Sequence, residues 1–248
     1  HDALPIYKAQ LPKLNPFVAE NTELLPETQA KKPTLAMSAP GIDMWHLQDT
    51  SFAIPKASLY VRIESPLARS NSENRAKVAL AEKLLEDKLN AFGYDAKLAG
   101  LSYNVFASDK GIGYAIDGYN DKQADLVNVL NKTIAKFDVD ESKFDLLKTS
   151  LLRDWKNAAL GRPIGQVFSR QEREFGEDPF SEKMLSTALK DVTFKELTQF
   201  MREYLAEVRI SAMSHGNVSK DEATAMAKNL KETFLGKRTA AKSETVVR

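Results

Sequence analysis

The sequence predicts an α+β fold in which an antiparallel or mixed sheet carries helices on one face. Three observations support this prediction. A long amphipathic helix occupies about residues 73–92, two extended segments follow it as a hairpin, and the other strands are separated by helical runs. A helix laid across an antiparallel hairpin is a core unit, so we expect the rest of the chain to be organised around residues 73–118.

The predicted helix has an apolar stripe at helical spacing. Its members are Val78, Ala81, Leu84, Leu85, Leu89 and Phe92. A break is predicted at residues 92–94. The hairpin follows, with strands at 101–107 and 112–117 and a turn at 108–111.

The chain before this unit begins with a proline-rich stretch. Prolines at 5, 12, 16, 26, 33 and 40 exclude long helices from residues 1–43 and favour extended chain lying over a surface. Short strands are predicted at 44–47 and 51–54. The clearest strand is 57–64, where apolar and polar residues alternate.

The chain after the unit is mainly helical. Helices are predicted at 122–137 and 141–160, three shorter ones within 164–206, and a strand at 208–213. A capping box formed by Ser219 and Glu222 starts a last helix, which ends near residue 235. The predicted organisation is therefore a lead-in over 1–43, one domain over 44–235 and a polar linker over 236–248.

Composition excludes several classes of protein. The 248 residues carry a formal net charge of +1, without the basic stripe typical of nucleic-acid binding. Apolar runs are far shorter than the roughly 20 residues of a membrane span. The absence of cysteine excludes disulfides, thiolate metal sites and a cysteine nucleophile. The first residues lack the apolar core of a signal peptide, and a start at His1 suggests a chain cut from something longer.

Several segments together resemble the pitrilysin and insulin-degrading-enzyme family of zinc metallopeptidases, the inverzincins. The matching segments are Asn15-Pro16-Phe17, Leu24-Leu25-Pro26, Trp45 with Gln48-Asp49, Pro55-Lys56-Ala57, Ser65-Pro66, Leu98-Ala99-Gly100-Leu101-Ser102-Tyr103, Gly118-Tyr119-Asn120-Asp121-Lys122-Gln123 and His215-Gly216-Asn217. In this order they span nearly the whole chain.

The resemblance implies a mostly antiparallel sheet with helices packed on one face. Long members of the family contain four homologous domains, and these segments resemble the non-catalytic third. Residues 1–25 then resemble the end of a linker between the two halves, and 236–248 a linker to a following domain. The implied partners are the other domains of the parent chain and peptide substrates.

The family's catalytic motif, H-x-x-E-H, places two zinc-binding histidines and a general-base glutamate on one helix. The corresponding positions here are Ala79, Glu82 and Lys83. Neither Ala79 nor Lys83 can bind zinc, and residues 148–152, near the family's third ligand, contain no carboxylate. We therefore expect no catalytic, cofactor or metal site in this chain, and zinc in the parent protein's first domain. Glu82 is either a remnant general base or a boundary residue with a local ion pair.

No other catalytic constellation stands out in the sequence. The three histidines, at 1, 46 and 215, have no ligand partners at useful spacing, and no Ser/His/Asp arrangement is evident. The expected function is thus that of a non-catalytic domain in a zinc metalloendopeptidase. The alternative is a scaffold subunit built on the same fold without peptidase activity. By analogy with exported bacterial relatives we expect a periplasmic location, with the cytoplasm as the alternative.

Overall fold

The structure of the chain is a computed structural model, and it describes residues 14–28, 30–158, 167, 171, 178–236 and 239–241. The strands are β1 (Thr34–Ala39), β2 (Ile42–Gln48), β3 (Lys56–Glu64), β4 (Leu101–Ser108), β5 (Gly111–Tyr119), β6 (Glu207–Gly216) and β7 (Thr239–Ala240). The α-helices are α1 (Ser72–Leu98), α2 (Gln123–Lys136), α3 (Phe144–Ala158), α4 (Glu182–Leu189), α5 (Phe194–Ala206) and α6 (Lys220–Leu235).

Six of the strands form one mixed sheet in the order β1-β2-β6-β3-β5-β4, and β7 pairs with β6 outside this path. The pairs β1–β2, β3–β6, β3–β5 and β4–β5 are antiparallel, whereas β2 and β7 lie parallel to β6. The predicted α+β fold with a mostly antiparallel sheet is confirmed.

The helices cover one face of this sheet. In β3, Ala57, Leu59, Val61 and Ile63 point to the helices and are buried, while the residues between them are partly or fully exposed. This alternation is the two-residue period of a strand with one face in the core. No element of the described residues covers the other face, called here the open face, which carries the exposed side chains of Tyr60 and Trp45.

Helix α1 lies at the centre of the helical layer and is longer than predicted. Val78, Ala81, Leu85 and Leu89 are fully buried as expected, and the helix contacts β4, α3 and α4 as well. The predicted break at 92–94 is wrong, because α1 continues through Gly93 to Leu98. A single glycine costs a helix only about 1 kcal/mol, and the extra turn buries Ala96 completely.

Three further predictions differ from the structure. Phe92, predicted to face inward, is 43% exposed on the continued helix. Residues 51–54 form a turn and not a strand. Residues 34–39, placed in the lead-in, form the edge strand β1, because Pro40-Gly41 with Gly41 at φ +81° makes a tight turn into β2.

The ends of the chain bear on the predicted organisation of the domain. The sheet starts at Thr34, ten residues before the predicted boundary, and Thr239–Ala240 adds a two-residue strand inside the predicted linker. The boundaries at 44 and 235 stay a prediction. Of the three short helices predicted within 164–206, the last two are α4 and α5, and the first falls largely outside the described residues.

Residues 14–26 run as a strap across one end of the sheet and helices. Hydrogen bonds to the rest of the domain hold the strap at four places. Asn15 donates to the Asp95 carbonyl, and Asp121 accepts from the Glu20 and Asn21 amides. The Asn217 side chain accepts from the Leu25 amide and donates to the Glu23 carbonyl, and Gln48 donates to the Pro26 carbonyl. Phe17 is 4% exposed, whereas Leu14 and Leu24 remain exposed. Among the described helices, none combines the length and hydropathy needed to cross a membrane.

Candidate functional site

The three motif positions lie in the first half of α1, and Asp154 of α3 lies near Lys83. Ala79 is partly buried against the core, and the Glu82 side chain is 12% exposed. Lys83 turns toward its neighbours on the helix, with its Nζ 3.7 Å from Glu82 Oε1 and 3.2 Å from Glu86 Oε2. The sequence expectation that Glu82 sits beside a local ion pair therefore matches its surroundings in the structure.

Burial raises the pKa of Glu82, an effect that the charge of Lys83 opposes and that of Glu86 reinforces. Burial lowers the pKa of Lys83, but Glu82, Glu86 and Asp154 together outweigh it, so the net shift is upward. The cluster therefore holds a cationic ammonium between carboxyl groups.

Helix α3 contributes a carboxylate that the sequence analysis did not select. Residues 148–152 contain none: Lys148 donates to the Val192 carbonyl over 2.7 Å, and Ser150 Oγ accepts from Arg153. Asp154, two residues beyond this stretch, lies close enough to Lys83 to raise its pKa. How α3 packs along α1 determines whether Asp154 comes near Lys83, and no pattern in the sequence predicts that packing.

These residues do not fit a zinc ion. A catalytic zinc takes three protein ligands, commonly histidine nitrogen and carboxylate oxygen. Ala79 has no donor atom, and the Lys83 ammonium repels a cation. Across the described ranges, no group of three or more His, Cys, Asp or Glu residues has the arrangement of a metal site.

The two described histidines lie on neighbouring strands but on opposite faces of the sheet. His46 is 7% exposed in the core, where its Nε2 bonds the Val218 carbonyl over 2.8 Å. His215 faces the open side, with its Nε2 3.1 Å from Asp49 Oδ2. His1 lies outside the described residues.

The open face brings together a row of polar residues that sequence reasoning missed. Ser58 pairs with His215 of β6 on one side and with Asp117 of β5 on the other. Its hydroxyl donates to Asp117 Oδ1 over 2.5 Å, and Asp49 closes the row beyond His215. Because the hydroxyl is committed to Asp117, no Ser–His hydrogen bond characteristic of a hydrolase is made. The only sequence signal for this row was the alternation of polar residues in β3 and β5.

A cleft lies between β4 and α1 at the sheet edge. It holds about 450 Å³, and its walls include Leu101–Val105 of the strand together with Glu86, Asn90, Gly93, Tyr94 and Lys97 of the helix. Tyr103 spans it, donating its hydroxyl to the Leu89 carbonyl over 2.7 Å. Burial, and to a lesser degree Glu86, raises the Tyr103 pKa, so the phenol stays neutral and keeps this hydrogen bond.

Comparison with protein families gives a match over most of the chain. Residues 2–184 match the family described as the middle or third domain of peptidase M16. Insulin-degrading enzyme of Homo sapiens is 32% identical over 230 residues, which are 92% of this chain and 23% of that protein. The chain thus spans about a quarter of the length of such relatives.

Comparison with solved structures agrees on the fold. The crystal structure of pitrilysin superposes with a TM-score of 0.83 at 20% identity, over 95% of this chain and 25% of that one. A peptidase M16 inactive domain from Pseudomonas fluorescens superposes with a TM-score of 0.64 at 14% identity, over 86% of this chain and 53% of that one.

Proposed function

Because the chain belongs to the peptidase M16 family as a middle or third domain, we propose that it is a non-catalytic wall domain of a zinc-dependent metalloendopeptidase. By wall domain we mean one that forms part of the chamber enclosing a peptide and supports its binding. Zinc and the catalytic residues then belong to the first domain of the parent protein, and this domain's partners are the other domains and the peptide.

The observation that carries this proposal is the state of the motif positions on α1. Glu82 occupies the place of the general base, but Ala79 and Lys83 replace the two histidines. The Lys83 ammonium lies between the carboxyl groups of Glu82 and Glu86, so a side-chain cation already occupies this part of α1. A domain with this arrangement can contribute surface and stability to a peptidase but cannot activate a water molecule by zinc.

The open face of the sheet supports a role in contact with peptides. Trp45 is 44% exposed on β2, Tyr60 is 50% exposed on β3, and Met213 lies between them in the strand register. Neighbouring large apolar side chains that remain exposed to solvent indicate a surface that contacts another molecule. Exposed aromatic side chains of this kind can contact unfolded peptides with little dependence on their sequence.

Two measurements test the proposal. The full-length protein should cleave an internally quenched peptide in a chelator-sensitive way, whereas the 248-residue chain alone should neither cleave it nor bind zinc tightly in calorimetry. Stoichiometric zinc with chelator-sensitive hydrolysis by the 248-residue chain would overturn the non-catalytic assignment. A full-length protein without cleavage would favour the scaffold alternative.

The wall role has its own test in the full-length protein. The double change Trp45→Ala and Tyr60→Ala should raise KM with kcat nearly unchanged, because it removes binding shared by substrate and transition state. Lys228→Ala, on the exposed side of α6, is the matched control and should change neither constant. Equal effects of the two variants would reject contact between peptide and the open face.

A further inference from the structure

A cavity lies between α2 and α6, on the helical side of the sheet and away from the open face. This cavity, the α2–α6 pocket, holds about 320 Å³, which is at the lower end of the range for small-molecule sites. Each helix contributes an alanine to its wall, Ala124 from α2 and Ala225 from α6. Alanine at both positions leaves space that larger side chains would fill.

Two contacts between asparagine side chains join the helices on either side of this space. Just before the helices begin, Asn217 Nδ2 donates to Asn120 Oδ1 over 3.3 Å. Two to three turns further along, Asn229 Nδ2 donates to Asn128 Oδ1 over 2.6 Å. Because these contacts bound the α2–α6 pocket along the helices, an extended peptide cannot run through it, whereas a small molecule fits between them.

The second contact is the end of a chain of hydrogen bonds that begins in the core. Tyr114 is fully buried, and burial raises the pKa of its phenol, so the hydroxyl stays protonated and donates to Asn131 Oδ1 over 2.8 Å. Asn131 is also fully buried and donates from Nδ2 to Asn229 Oδ1 over 2.9 Å. Each amide therefore accepts at its oxygen and donates from its nitrogen, and the phenol fixes this direction as far as Asn128.

This chain leaves a hydrogen-bond donor in the wall of the pocket. Asn128 Nδ2 has no acceptor among the described residues. Gln123, also in the wall, is 3% exposed and donates from Nε2 to the carbonyls of Ala57 and Gly118 over 2.6 and 3.2 Å. Its Oε1 has no donor within the same described part of the chain. The wall thus offers a donor and an acceptor on residues that lie about 7.5 Å apart along α2.

The rest of the wall favours an uncharged ligand with an apolar body. Both carboxylates in the wall already have partners: Asp121 accepts from two amides of the strap, and Glu222 accepts from the N-cap residue of α6. Buried Val127 and Met226 supply apolar surface. The side-chain groups left without partners among the described residues of the wall belong to amides, which carry no charge.

We propose that the α2–α6 pocket binds a small uncharged organic amide with an apolar body and a second N–H group at its far end. The ligand's carbonyl oxygen accepts from Asn128 Nδ2, and its far N–H donates to Gln123 Oε1. Its body packs against Val127 and Met226. This small-molecule site goes beyond the peptide contact proposed for the open face, and its tests do not depend on peptidase activity.

Binding can be tested with 4-aminobenzamide, an uncharged ring with a carboxamide at one end and an amino group at the other. An NMR titration of the 248-residue chain should give a dissociation constant of about 1 mM, ordinary for a ligand of this size. Benzylamine, a cation without a carbonyl, should bind at least about tenfold more weakly. No binding of 4-aminobenzamide at about 10 mM would overturn the proposal. Equal or tighter binding of benzylamine would assign the pocket to a cation and would also overturn it.

The donor can be tested by a change of nearly identical shape. Asn128→Asp keeps the oxygen that accepts from Asn229 and replaces the Nδ2 donor with an acceptor, so 4-aminobenzamide should bind about tenfold more weakly. Asn90→Asp makes the same change at an exposed position of α1 outside the pocket, and should leave the dissociation constant unchanged. Equal dissociation constants for the two variants would show that Asn128 does not hold the ligand and would reject the proposal.

The space itself can be tested by filling it. The double change Ala124→Leu and Ala225→Leu places larger side chains in both walls and should abolish binding, while leucine suits both helices. The matched control is Ala158→Leu with Ala206→Leu, at exposed positions of α3 and α5, and it should bind 4-aminobenzamide like the wild type. If the two double variants bind equally well, the probe lies elsewhere and the α2–α6 pocket is not its site.

Discussion

The two faces of β3 place neighbouring residues in opposite environments. Leu59 is fully buried under the helices, whereas Tyr60, the next residue, is 50% exposed on the open face. Both side chains are large and largely apolar. The difference shows that one strand supplies the core with one set of side chains and a solvent-exposed surface with the other, so substitutions on the two faces should affect the stability of the domain unequally.

The largest expected effect comes from the buried face. Leu59→Ala should lower the free energy of unfolding by about 2–5 kcal/mol, because it removes buried methyl groups and leaves a cavity. Tyr60→Ala should lower it by less than about 1 kcal/mol, since the ring already lies half in water. Urea denaturation of both variants measures the difference. A comparable loss in Tyr60→Ala would mean that the open face is covered by a second core.

A buried hydroxyl gives the next test of the comparison. Tyr204 is fully buried, and its Oη accepts from the Ile112 amide over 2.9 Å and donates to the Ile63 carbonyl. It stands between β3 and β5 where Gly111 takes φ +144°. Tyr204→Phe should cost about 1–3 kcal/mol, because the amide and carbonyl lose their partner inside the core.

The matched change on the open face is Tyr60→Phe, which removes the same group from a side chain in contact with water. It should leave the midpoint of urea denaturation unchanged. If Tyr204→Phe also left it unchanged, a water molecule or a shift of the strands would be replacing the hydroxyl, and the two faces would respond alike.

The smallest effect concerns the carboxyl group of Asp49, which lies next to His215. Hydrogen bonds from Ser51, with a smaller contribution from His215, hold the pKa of Asp49 below its ordinary value of 3.8. A depressed carboxyl pKa stabilises the fold above the ordinary value, and this stabilisation is lost as the pH falls through the folded-state pKa. The stability difference between wild type and Asp49→Asn should therefore be larger at about pH 5 than at about pH 3.

Urea denaturation at the two pH values measures this change, and Asp87→Asn on α1 serves as the control. A difference between wild type and Asp49→Asn that grows as the pH falls would mean that the folded state raises the Asp49 pKa instead of lowering it.

Local patterns in the sequence predicted most of the elements, and the failures have physical causes. Alternating apolar residues predicted β3, and the capping box at Ser219 and Glu222 predicted the start of α6. Both elements are present in the structure. The predicted helix end at Gly93 is wrong, since tertiary contacts around α1 outweigh a local preference. The Pro40-Gly41 turn could have revealed β1, but the prolines around it favoured a lead-in.

Most of the candidate site depended on information that no local pattern carries. The substitutions at Ala79 and Lys83 could be read directly from the sequence. The approach of Asp154 to Lys83, and the row formed by Asp49, His215 and Ser58, depend on how helices and strands are aligned in space. Residues far apart in the chain become neighbours only through that alignment.

The position of β6 in the sheet has a consequence for how the domain is made. β6 lies between β2 and β3, although more than 140 residues separate it from them in the chain. During synthesis, β2 and β3 have no partner on these sides until residues 207–216 have left the ribosome. Contacts of such long sequence separation form slowly, and the waiting strand edges are prone to pair with other chains. A chain stopped before Glu207 would therefore keep a divided sheet with two open interior edges, and should aggregate more readily than the complete chain.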